Sequence, residues 1–227
     1  MTSEKSVERS IDTLQRIYSV IAALAINEGL KRVFLGPDGK LDFHADQLPE
    51  FIAFVFTAVP FVHGMNRHLD KTLSTSRKEN RPRLLSFLLV DFFIFILESA
   101  LLFVLGISII SDGHFFQWFV ALLVLDIIWS LATWPITKSV VIQWLVVNLV
   151  AAAVCLMLIY CIPWIPAWLK QWLLGMVAVL RTVADYKFAW SFYFPQDEVA
   201  ATAAVPNVAE ATAAALDRAE STGTTVG

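Results

Sequence analysis

The chain has 227 residues, 57% of them hydrophobic and only 16% charged, with a formal net charge of -3 at pH 7 and a mean hydropathy of +0.65. That balance excludes an ordinary soluble domain and gives no basic footprint for nucleic acid; the expected fold class is all-α, a polytopic integral membrane protein. The two cysteines, Cys155 and Cys161, fall on one expected helix about 9 Å apart along its axis, too far for a disulfide, and read as small apolar fillers.

In chain order, residues 1–13 form a cytoplasmic N-terminal segment, 14–195 a bundle of six transmembrane helices, and 196–227 a disordered acidic, Ala/Thr-rich cytoplasmic tail. A helix needs ~20 residues to cross ~30 Å of hydrocarbon. The runs at 14–34, 50–67, 84–110, 115–134, 139–162 and 171–194 approach or meet that length. The first carries Arg16, Asn27, Glu28 and Lys31 beside its apolar residues, so a helix lying on the membrane surface is the alternative there. Ala23-Leu24-Ala25 mimics a signal-peptidase site, but Glu4, Glu8 and Asp12 precede it, which argues against a secretory leader.

Loop charge sets the orientation. Arg67, Lys71, Arg77, Lys78, Arg81 and Arg83 crowd one short connection. The positive-inside rule places that connection, and with an even number of spans both termini, in the cytoplasm. The same six residues are the expected contacts for anionic lipid or a cytoplasmic protein partner. Trp164, Trp168 and Trp172 mark the opposite interface, and Trp134 and Trp190 the inner one. The expected surroundings are the lipid bilayer, here a bacterial inner membrane, with a homo-oligomer as the expected assembly.

The chemistry lies in the acids inside the apolar runs. Asp91, Glu98, Asp126 and Asp185 sit within spans, where each charge costs at least ~2.5–3.5 kcal/mol unless it is paired, hydrated or bound to an ion. From a rise of ~1.5 Å per residue, Asp126 lies ~17 Å and Arg181 ~15 Å from the outer ends of their spans, both at the midplane. The same arithmetic puts Asp91, His63 and Asp185 in one layer nearer the cytoplasm, and Glu28 and Glu98 in one nearer the outside. Arg181 is a permanent cation, so it needs a fixed partner. The expected one is Asp126, with Asp185 one helical turn away as competitor. His63, four residues before Arg67 and just after Pro60, faces the same layer as Asp91. Asn148 is expected to make an interhelical hydrogen bond.

These residues point to a transport protein or channel that moves protons or a small cation along Asp91, Glu98, Asp126, His63, Asp185 and Glu28. A different class fits the loop and tail: a non-catalytic membrane partner acting through its basic connection and acidic C-terminus. A third reading, an intramembrane hydrolase, lacks a nucleophile motif. No enzyme activity is expected. His63 and His68 are five apart, not the four of a helical zinc site, so neither a metal nor another cofactor is expected.

Overall fold

A computed structural model describes residues 2–36, 38–79, 83–109, 114–137 and 140–195. The chain divides into two units, Met1–Tyr193 and Phe194–Gly227. Among its described residues the first unit is built of helices: α1 (Thr2–Phe34), α2 (Leu48–Glu79), α3 (Arg83–Ser108), α4 (Phe115–Thr137), α5 (Val140–Leu156), α6 (Ala167–Phe188) and the short α7 (Trp190–Tyr193). A 3-10 turn at Ala45–Gln47 leads into α2, and α5 ends in a π-helical turn at Met157–Cys161. No strand occurs among the described residues; Leu35 and Leu41 form one isolated bridge beside a turn that Gly39 closes at φ +75, a left-handed conformation that favours glycine.

Among the described residues, four stretches are long and apolar enough to cross a membrane: Ala45–Lys71, Leu89–Ser108, Phe115–Trp134 and Ile142–Cys161. Burial runs the wrong way for water. Val59, Phe93, Leu97, Ile128, Val150 and Val183 face outward, whereas Asp91, Glu98, Asp126, Asn148, Arg181 and Asp185 are buried. Such an arrangement suits hydrocarbon as solvent, because apolar side chains gain nothing there by hiding. The molecule is thus an all-helical protein of multi-pass membrane type.

The helices close a ring. Neighbours in order are α1, α3, α4, α5, α6 and α2, with α2 packing back on α1. Contacts fix their directions. Tyr18 meets Phe95 with ring centroids 6.1 Å apart, and further along both helices Gly29 meets Ile109, so α1 and α3 are parallel. Between those points a Cβ on Gly106 would stand 2.6 Å from the Ala25 carbonyl oxygen, so only glycine admits this crossing. The α2 and α6 helices are also parallel. Gly175 on α6 lies against the Pro49 carbonyl at the start of α2, and further along both helices Thr182 bonds the Phe56 carbonyl.

The Thr182 bond has a local cause. Pro60 lies inside α2 and has no N–H to give the carbonyl four residues back, which is that of Phe56. In an apolar environment an unpaired carbonyl is costly, and the Thr182 hydroxyl, donating from α6, satisfies it.

Ile11, Leu14, Tyr18, Ala22, Ala25 and Val33 are buried along one face of α1, packed on α2 and α3, and α1 is not among the four stretches long and apolar enough to cross a membrane. That helix runs from Thr2. The last run breaks at Ala189, the C-cap of α6, before α7 begins. The tail at 196–227 and the side chains of Arg77, Lys78, Arg81 and Arg83 lie outside the described residues.

Candidate functional site

Within the ring, polar side chains from α4, α5, α6 and α7 form one continuous chain. Asn148 donates through Nδ2 to the Asp126 carboxylate and accepts through Oδ1 from Arg181 Nε at 2.8 Å. Arg181 Nη1 lies 3.8 Å from Asp185 Oδ2, and the same oxygen accepts the Tyr193 hydroxyl at 2.9 Å. The guanidinium also sits 5.0 Å from the centroid of the Phe61 ring. Each end of this chain depends on a helix direction: α5 runs antiparallel to both α4 and α6, so one amide can reach both.

The direct Arg181–Asp126 pair expected from depth is therefore not the contact made. Asn148 stands between them, and the ion-pair distance goes to Asp185, the expected competitor. An i, i+4 spacing on one helix needs no interhelical adjustment to bring charges close, whereas two facing helices leave room for an intervening amide.

Glu98 on α3 completes the site. It is 2% exposed and feels the charges of Asp126, Asp91 and Arg181. A cavity of about 30 Å³ lies among Glu98, Asp126, Trp144, Arg181, Asp185 and Tyr193, with Phe95 and Trp129 also on its wall. Four buried atoms of these lining residues have no hydrogen-bond partner: Glu98 Oε1, Asp185 Oδ1, Arg181 Nη1 and Trp144 Nε1. The Trp144 indole N–H approaches the Asp185 carboxylate as a weak hydrogen-bond donor, short of the distance and angle of a well-formed bond.

A second polar cluster lies behind the aromatic wall. Asp91 Oδ2 is 3.0 Å from His68 Nε2, and Asp91 Oδ1 accepts from Trp129 Nε1 at 2.9 Å. All three residues are buried. Trp129 thus faces the cavity while its indole N–H is held by Asp91. Phe95 adds to the partition, at 6.1 Å from the His68 ring and 5.8 Å from Trp129.

His68, not His63, is the histidine that faces Asp91. His63 is only half-buried; its Nδ1 lies 3.2 Å from the Tyr186 hydroxyl. The five-residue offset puts the two imidazoles on different faces of α2, a difference of about 140° at 100° per residue. Depth alone cannot separate them; the acid at i+23 could have, had the α2–α3 pairing been known.

Glu28 does not join the other acids. It bonds Arg32 at 3.0 Å and pairs with Lys31 at 3.7 Å, both on its own helix and partly exposed. Of the six basic residues assigned to lipid or partner contact, two have described side chains, and both turn toward α7. Arg67 bonds the Tyr193 carbonyl at 3.1 Å, and Lys71 sits 5.7 Å from the Phe192 ring centroid. Among the described residues no cluster of three His, Cys, Asp or Glu side chains could hold a metal ion.

No family model, curated protein or solved structure matches this chain.

Proposed function

We propose that this protein carries protons or a small cation across a membrane through the polar interior of its helix ring. The observation that carries the reading is the charge count around the axis. Asp91, Glu98, Asp126 and Asp185 are all buried, while among the described residues the buried counter-charges are Arg181 and, when protonated, His68. At least part of this acid surplus must hold a proton or a cation, and acids kept in that state inside a membrane are typical parts of ion and proton pathways. A purely structural ion pair needs one acid per base; this core has more.

The orientation follows from the same ring. The helices alternate in direction from α1 to α6, with α1 parallel to α3 and α2 parallel to α6. If α1 and α6 also cross, there are six spans and both termini share one side. The basic residues between α2 and α3 support a cytoplasmic position for that side by the positive-inside rule.

Purified protein in liposomes under a pH or cation gradient tests the reading. Flux in the parent and a large loss in both Asp126→Asn and Glu98→Gln are expected. Undiminished flux in both variants would remove these acids from the path, and absence of flux for every ion tried would end the proposal.

A further inference from the structure

The cavity distinguishes between the two kinds of cargo. A dehydrated metal cation takes oxygen acceptors as its coordination shell. Here the fully buried atoms on the cavity wall that lack a well-formed hydrogen bond include two acceptors, Glu98 Oε1 and Asp185 Oδ1, and two donors, Arg181 Nη1 and Trp144 Nε1; Nη1 has only its 3.8 Å ion-pair contact with Asp185 Oδ2, and Trp144 only its weak approach to Asp185. The Arg181 guanidinium adds a fixed positive charge to the same wall. A metal ion would share this wall with the Arg181 cation and the Trp144 N–H donor.

Water meets all four. A water both donates and accepts, and wants two to four polar partners in roughly 10–15 Å³ of accessible space. The cavity has about 30 Å³, enough for about two such molecules. One would accept from Trp144 or Arg181 and donate to a carboxyl oxygen; the other would do the same, and a bond between them joins Glu98 to Asp185. The Tyr193 hydroxyl already donates to Asp185 Oδ2, which leaves Oδ1 as the oxygen turned to the waters.

We infer that the cavity holds a pair of waters linking Glu98 to Asp185, and that the species moved through this core is the proton. The inference rests on the transport reading above and narrows it. In the transfer, the Glu98 carboxyl gives its proton to the first water. That water passes one of its own to the second, and the second passes one to Oδ1 of the Asp185 carboxylate. One O–H bond is lost at Glu98, one is gained at Asp185, and both waters end neutral. Arg181 and Trp144 hold the water oxygens in line; they carry no proton themselves and act as positioning residues.

The test is flux in liposomes under separate proton, sodium and potassium gradients, with Trp144→Phe and Glu98→Gln beside the parent. Trp144→Phe keeps an aromatic ring and removes one donor to the waters. The expected result is proton flux in the parent, no sodium or potassium flux, a fall of roughly tenfold in Trp144→Phe, as for one lost hydrogen bond in the path, and near-complete loss in Glu98→Gln. Infrared difference spectra of the parent, which need no variant to fold, would show a carboxylic C=O band and weakly bonded water O–H bands changing together with pH. Sodium or potassium flux through the parent without proton flux would overturn the inference while sparing the transport reading. Proton flux unchanged in Trp144→Phe, or spectra without the water bands, would also overturn it. No flux of any kind would sink both.

Discussion

Arg181→Met is the most diagnostic change to stability. The substitution removes a hydrogen bond to Asn148 at 2.8 Å, the ion pair with Asp185 at 3.8 Å and the contact with the Phe61 ring at 5.0 Å. It leaves Asp185, 2% exposed, without its cation, and Asn148 Oδ1 without a donor. Breaking a buried pair by removing one partner typically costs ~3–5 kcal/mol. For a chain of this size each kcal/mol moves the melting point by about 2–4 °C, so a fall of about 6–20 °C is expected. The assay is thermal unfolding in detergent, read as a double-mutant cycle. Because Asp185 has the direct contact and Asp126 is reached through Asn148, adding Asp185→Asn should recover more of the loss than adding Asp126→Asn. Arg181→Lys should recover little, since an ammonium cannot reproduce the Nε bond to Asn148 and an approach to Asp185 from one planar group. Additive effects of Arg181→Met and Asp185→Asn, with no coupling, would refute the pairing described here.

Other substitutions separate the polar groups from one another. Glu28→Gln should leave both transport and melting nearly unchanged, within ~1 kcal/mol, because Glu28 belongs to a partly exposed pair with Arg32 rather than to the core; a flux defect as large as that of Glu98→Gln would contradict its placement. Trp129→Phe removes the bond to Asp91 and should destabilise by ~1.5–3 kcal/mol, as for a hydrogen bond to a charged group, in a chemical or thermal melt. Gly106→Ala forces a methyl against the Ala25 carbonyl and should cost ~1–3 kcal/mol, and a variant that melts like the parent would mean that α1 does not cross α3 so closely. Thr182→Val leaves the Phe56 carbonyl unpaired behind Pro60 and should lower stability by ~1–3 kcal/mol, whereas Thr182→Ser should retain most of it.

Composition and pattern made the helices, their order and the class legible without tertiary information. A run such as 139–162 has one stable conformation in hydrocarbon, because only a helix satisfies its own backbone there. The same reasoning identified Asp91, Glu98, Asp126, Asp185 and Arg181 as interior residues, since each is too costly to face lipid.

What the sequence left open was every question of which face meets which. Depth along a helix is arithmetic, but rotation about its axis and the choice of neighbour depend on the summed packing of all six long helices. That is why His63 was assigned to the layer of Asp91 when His68, on a different face of the same helix, makes the bond. It is why Glu28 was counted among the core acids although its own i+4 arginine holds it at the edge. Asp126 and Arg181 share a depth, yet Asn148 lies between them, because two facing helices are spaced by the side chains at their contact. The cavity is the least local feature of all. Residues from α2 through α7 line it, no two of those helices define it, and only the closed ring turns scattered polar positions into one site.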